Sequence, residues 1–158
     1  MTGTLSVVDL RSATPAHLPV VEAIMQRAFD PRYGEAWTRA QCLGILAMPG
    51  VWLTMASVQG TAAGFALARA GGGEAELLLL ATDPAWRRRG VGSALMRSVV
   101  NDARFRSAGR LFLEVRANND AINFYKLLGF AKVGERRGYY RGPGGQAFDA
   151  YTLELKIS

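Results

Sequence analysis

The chain has 158 residues, 49% of them apolar and 20% charged, enough for a sizeable core and most simply a single domain over residues 1–158. Its one cysteine, Cys42, excludes an internal disulfide and a thiolate metal cluster, and its one histidine, His17, leaves little for a zinc site or a histidine triad, so no metal is expected. The formal charge of +6, mainly from arginine, favours anionic ligands. Short, interrupted apolar runs predict a soluble cytoplasmic protein with no membrane or targeting segment.

Leu5 to Arg11 alternates loosely and predicts a first strand. Thr14-Pro15-Ala16 follows as an N-cap, a proline at the first helical position and a helix start, with Leu18, Val21, Ile24, Met25 and Ala28 on one face. Asp30-Pro31 ends that helix. The next segment, Arg32 to Trp37, is irregular and holds the aromatics Tyr33 and Trp37. Thr38 then caps a short helix carrying Leu43, Leu46 and Ala47, closed by Met48-Pro49-Gly50. Cys42, in that helix, is expected as a small buried apolar residue. Val51 to Val58 and Ala62 to Ala70 predict an antiparallel hairpin turning at Gln59-Gly60.

The centre of the chain is Glu74 to Arg106. Leu77 to Ala81 is apolar on both faces, as in a buried central strand, and Asp83-Pro84 ends it. After Arg87-Arg88-Arg89-Gly90-Val91-Gly92-Ser93, the apolar residues Leu95, Val99, Val100 and Ala103 recur at helical spacing. The glycines therefore sit where a strand hands over to a helix N-terminus. They let a ligand approach the backbone, and the first free N–H groups of the helix favour an anion there, a diphosphate in particular. A Walker loop needs Lys-Ser/Thr where Ser93-Ala94 stand, and a dinucleotide fingerprint needs a small residue where Leu95 stands.

Gly109 is a C-cap candidate for this helix, and Leu111 to Arg116 predicts a fifth strand. Asn118-Asn119-Asp120 caps a helix through Ile122, Phe124, Tyr125 and Leu128, closing at Gly129. Phe130 to Val133 starts a further strand, Gly134 to Arg141 is basic and aromatic, Gly142 to Gly145 is a turn, and Phe148 to Ile157 alternates as a last strand. This order predicts a mixed α/β sheet. The arginines cluster at the glycine turn without regular aromatic interleaving, which argues against nucleic acid as a partner.

Arg87, Gly90 and Gly92 fit the pattern Q/R-x-x-G-x-G/A, and the segment resembles the pyrophosphate loop of the GNAT N-acetyltransferases. Asn118 to Phe130 is similar to the N-x-x-A-I-x-x-Y-x-x-x-G-F signature of the same family. Leu113-Glu114-Val115-Arg116, with Arg136-Arg137-Gly138-Tyr139-Tyr140 and Asp149-Ala150, resembles the RimI-type branch, which acetylates N-terminal alanines of ribosomal proteins. The resemblance implies a GNAT fold: one mixed, mostly antiparallel sheet of about six to seven strands with about four helices, and acetyl-coenzyme A between the fourth and fifth strands. It further implies that Leu80, Ala81 and Thr82 bond the pantetheine and acetyl groups through their backbone. Arg87, Arg88, Arg89, Gly90, Val91, Gly92 and Ser93 would cradle the pyrophosphate, and Asn118 would bond the pantetheine arm, a helix N-cap being its other reading.

Acetylating an amine requires that the amine lose a proton, that donors meet the developing oxyanion, and that the leaving thiolate gain a proton. An α-amine, with a solution pKa of about 7.7–8.0, needs only modest help. Glu114 is the base candidate; its alternative is an ion pair with Arg116. By resemblance Tyr125 protonates the thiolate; its alternative is a core aromatic beside Phe124 and Leu128. The segment between Glu114 and Asn118 is one residue shorter than is usual in the RimI-type branch, which makes the aim of Glu114 the point to check, with Glu35 and Glu76 as substitutes. Tyr33, Trp37, Tyr139 and Tyr140 are candidate acceptor walls and equally candidate packing residues. The expected function is acetyl transfer to a peptide N-terminus, such as that of a ribosomal protein, by a monomer or homodimer. A small amine, a protein lysine and a non-catalytic acyl-coenzyme A sensor are the alternatives. An open groove between Arg32–Trp37 and Tyr139-Tyr140 is expected for a peptide, a closed one for a small amine.

Overall fold

The computed structural model describes residues 7–158. A seven-stranded sheet runs in the order β1-β2-β3-β4-β5-β7-β6, formed by β1 (Asp9–Ala13), β2 (Val51–Val58), β3 (Thr61–Gly71), β4 (Glu74–Thr82), β5 (Arg110–Arg116), β6 (Ala131–Arg141) and β7 (Ala147–Lys156). Among the described residues only the β4–β5 pairing is parallel. Among the described residues four α-helices flank it: α1 (Leu18–Ala28), α2 (Arg39–Leu46), α3 (Val91–Phe105) and α4 (Ala121–Leu127). The mixed, mostly antiparallel sheet matches the expected architecture.

Helix starts follow their caps. The Thr14 hydroxyl accepts from the Ala16 N–H and caps a 3₁₀ turn, Pro15–His17, with His17 completing a capping box; the expected helix α1 starts only after that turn, at Leu18, with no side-chain cap of its own. The Thr38 hydroxyl accepts from the Gln41 N–H at α2. One face of the sheet packs Val91, Leu95 and Val99 of α3 against Ala66, Leu111 and Leu153. The other packs Val21, Ile24 and Met25 of α1 and Cys42 of α2 against Leu53, Phe65 and Leu67. Burying each large aliphatic or aromatic chain here stabilises by roughly 1.5–3 kcal/mol.

Beneath the uniform apolar run of β4 lies a bulge. Leu67 pairs with Leu79 and Ala68 with Leu77, so Leu78 is an extra residue. In an even pleat Leu77 and Leu79 would share a face. The bulge instead sends Leu77 into the α3 layer and Leu79 and Ala81 into the α1–α2 layer. Gly64, in the interior of β3, lets α3 lie close: a Cβ there would come 2.6 Å from the Ala81 carbonyl oxygen and 3.0 Å from Val91 Cγ1.

The first strand is Asp9–Ala13 rather than Leu5 to Arg11, and Leu5 and Ser6 lie outside the described residues. Leu43 is 51% exposed, and Cys42 provides the buried contact of α2. Ser107, with φ 67°, takes the left-handed position after α3, not Gly109, and the Ala108 N–H closes the turn on the Ala103 carbonyl. The basic, aromatic segment from Gly134 to Arg141 continues β6, with register shifts at Lys132/Gly134 and Arg136/Tyr140. Asn119 Oδ1, not Asn118, accepts from the Ala121 N–H at the start of α4.

Candidate active site

The parallel pairing of β4 and β5 stops at Leu77 and Leu113, although the strands continue to Thr82 and Arg116. Their free edges part, and the wedge opens into a cavity of about 1170 Å³ lined by residues of both strands, α3, α4, the α1–α2 connection and β6. Leu80, Ala81 and Thr82 lie along its β4 wall, and Asn118, Phe124 and Tyr125 along the opposite side.

At one end stands the start of α3. Its first intrahelical bond runs from the Ala94 N–H to the Gly90 carbonyl, so the preceding N–H groups have no partner within the helix. Gly90 has φ 82° and Arg88 has φ 64°, a left-handed conformation uncommon for a side-chain-bearing residue. Together they fold the backbone into a concave turn at the positive end of the helix dipole. Arg87, Arg88, Gly90, Val91, Gly92 and Ser93 all line the cavity. Arg89 does not; its guanidinium lies 5.2 Å from the Trp86 ring centroid. A Cβ at Gly92 would sit 3.5 Å from Phe124 Cζ and 3.6 Å from Thr82 Oγ1, so the glycine keeps a narrow passage open between β4 and α4. A long ligand with a phosphate end suits this cleft, and coenzyme A has that shape and charge.

The other end is aromatic and acidic. Tyr33, Glu35, Trp37, Glu76, Glu114, Tyr139 and Tyr140 line it. Glu114 is not paired with Arg116. Arg136 Nε donates to its Oε1 at 2.8 Å and Thr152 Oγ1 donates to its Oε2 at 2.7 Å, so β6 and β7 aim its carboxylate. Tyr140 donates to the Glu114 backbone carbonyl at 3.1 Å. Tyr125 is almost fully buried, edge-on to Phe124 and Phe130, yet still lines the cavity. Burial, with a smaller contribution from the Glu35 charge, pushes its pKa far above the usual phenol value, so the group keeps its proton. Burial and then Glu35 do the same for Tyr140, and burial with Glu114 and Glu76, opposed by Arg136, raises that of Tyr139.

Sequence patterns left Arg116 as a possible partner for Glu114; in the structure its Nε donates to Glu35 at 3.3 Å, with both side chains about nine-tenths buried. The α1–α2 connection also meets the β6–β7 hairpin. Gly34, with φ 66°, has no room for a Cβ beside the Arg141 carbonyl, nor has Gly142 beside the Arg32 carbonyl. The two segments expected to flank the acceptor groove therefore touch at their tips. Interior glycine in a strand was the available signal for Gly64; nothing local marked Arg136 or Thr152 as partners of Glu114.

A sheet split open beside a glycine-lined helix N-terminus defines a class, and the chain belongs to the acetyltransferase (GNAT) family, whose sequence profile matches residues 18–130. It is 38% identical over 124 residues to an N-alpha-acetyltransferase RimI of Mycobacterium tuberculosis, covering 75% of each chain. It is 39% identical over 100 residues to the ribosomal protein bS18 alanine N-acetyltransferase of Escherichia coli K12, covering 63% of this chain and 67% of that one. The crystal structure of the Escherichia coli ribosomal-protein alanine N-acetyltransferase superposes with a TM-score of 0.82 at 31% identity, covering 96% of this chain and 95% of that one.

Proposed function

We propose that the protein moves the acetyl group of acetyl-coenzyme A onto the α-amine of a protein N-terminus in a ternary complex. The observation that carries this is a single cavity running from the α3 N-terminus, past Tyr125, to Glu114 and the aromatic walls. The relatives named for N-terminal alanine acetylation support the acceptor class.

Bound at the α3 end, the coenzyme supplies a thioester carbonyl. Backbone groups of Leu80 to Thr82, unpaired on the β5 side, hold the acyl arm in the wedge. Glu114 takes a proton from the incoming ammonium, directly or through a water. The amine nitrogen bonds the acetyl carbon, the carbon–sulfur bond breaks, Tyr125 gives its proton to the departing thiolate, and the second proton that the nitrogen sheds on becoming an amide restores the phenol. Like any phenol, Tyr125 carries that proton at neutral pH. Holding both reactants in line supplies much of the acceleration.

A small amine is the second reading, favoured by the contacts of Gly34 and Gly142 that bridge the tips of the acceptor walls. Thiol release measured with acetyl-coenzyme A over N-terminal peptides, lysine peptides, amino acids and polyamines tests both. Turnover with N-terminal peptides is the expected result. Turnover with small amines alone overturns the peptide reading, and tight coenzyme binding with no turnover identifies a sensor.

A further inference from the structure

We propose that Arg116 is a positioning residue that ties the acceptor wall and the coenzyme wall of the cavity to each other; the proposal rests on the acetyl-transfer reading above. Arg116 closes β5 opposite Ala150 of β7, which fixes its main chain in the sheet. Its side chain then reaches three groups. Nε donates to Glu35 Oε1 at 3.3 Å, Nη1 donates to Asn118 Oδ1 at 2.7 Å, and the guanidinium carbon lies 3.5 Å from the Tyr33 ring centroid. Glu35 and Tyr33 belong to the α1–α2 connection, and Asn118 to the β5–α4 connection. All four residues line the cavity.

A guanidinium is always charged and has only donors, arranged as a rigid fork. Asn118 must therefore turn its carbonyl toward Arg116, which leaves its amide NH₂ for the cavity. That is a donor suited to an amide carbonyl, such as those of a pantetheine arm. On the opposite wall the same cation holds the buried Glu35 carboxylate and lies over Tyr33, whose ring packs edge-on against Phe148 at 5.0 Å. Moving Arg116 disturbs both walls at once. Lysine keeps the charge but cannot serve three directions with one ammonium.

The test measures acetyl-coenzyme A Kd by calorimetry, and kcat and KM on a peptide beginning with alanine, for wild type, R116Q, R116K, E35Q, N118A and R116Q/N118A. In R116Q both the coenzyme Kd and the peptide KM are expected to rise about tenfold, the loss of one charge-assisted hydrogen bond at each wall, while kcat at saturation falls less than about threefold. E35Q is expected to raise the peptide KM alone. In the N118A background, R116Q is expected to leave the coenzyme Kd unaltered. A merely structural Arg116 lowers kcat through lost active protein and leaves Kd and KM unchanged, which overturns the proposal. If R116Q does not fold, R116K must show the same split in Kd and KM, and its absence there overturns the proposal equally. Wild-type protein that neither binds the coenzyme nor acetylates peptide overturns the acetyl-transfer reading and this one with it. An active wild type with unaltered variants overturns this one alone.

Discussion

Replacing Gly92 with valine is expected to abolish coenzyme binding and leave the protein folded. Gly92 is the second residue of α3, and a Cβ there meets Phe124 and Thr82 at 3.5 and 3.6 Å, ordinary van der Waals distances. Alanine therefore fits the cleft, whereas the two methyls of valine reach about 1.5 Å further, one carbon–carbon bond. They enter the space beside the free N–H groups of the helix. A phosphate pushed outward by that amount from donors at about 2.9 Å loses its hydrogen bonds, each worth roughly 1.5–3 kcal/mol when charged. Two lost bonds amount to about 3–6 kcal/mol, a factor of about 10² to 10⁴ in Kd. The helix itself tolerates the change, since valine has a better helix propensity than glycine by a few tenths of a kcal/mol. Calorimetry with acetyl-coenzyme A and a thermal melt on the same sample measure both quantities. A folded G92V variant with a Kd within about threefold of wild type refutes the placement of the phosphates at the start of α3.

Tyr125→Phe keeps the ring contacts with Phe124 and Phe130 and removes only the proton donor; kcat is expected to fall about 10²- to 10⁴-fold with the melting temperature unchanged, and steady-state kinetics on a thiol-release readout decide it. Gly34→Ala forces a side chain into a left-handed site against the Arg141 carbonyl, so the acceptor KM is expected to rise while the coenzyme Kd, set at the far end of the cavity, holds. Asp83 supplies a pH test. Burial opposes its ionisation, but the Ala85 N–H and Arg27, whose Nε donates at 2.8 Å, outweigh this and hold its pKa below 3.8. A folded pKa below the unfolded one adds stability that is present above about pH 4 and is lost as pH falls through the folded value. Asp83→Asn is thus expected to cost about 1 kcal/mol at neutral pH, discounted because Arg27 is half exposed, with the difference closing in acid melts.

What the sequence displayed and what it hid follow the range of each interaction. Thr14 announced the 3₁₀ turn that leads into α1, and Thr38 announced α2, because a cap bonds to N–H groups two or three residues on. The strand, glycine turn and helix around Gly90 were legible because backbone conformation and residue type are coupled at positive φ. The bulge at Leu78 was not, since four consecutive leucines carry no alternation to break. The partners of the acidic residues were also hidden. Arg116 finds Glu35 across 81 positions of sequence, and Glu114 finds Arg136 and Thr152 across 22 and 38. The pairings of Glu114 are made by strand order, β5 lying beside β7 and β7 beside β6, and that of Arg116 by where the α1–α2 connection crosses the end of β5, none of which a local pattern encodes. Arg89, third in an arginine run, does not line the cavity but lies over Trp86, next to the left-handed Arg88.

The central claim, that an acyl arm lying between β4 and β5 meets an amine beside Glu114, is tested most directly by mass spectrometry of an N-terminal peptide library incubated with the protein and acetyl-coenzyme A. A single acetyl group on the α-amine of a subset of peptides, absent with Y125F and G92V, is the expected result. Peptides left unmodified while the coenzyme binds, or modification that persists in both variants, would contradict it.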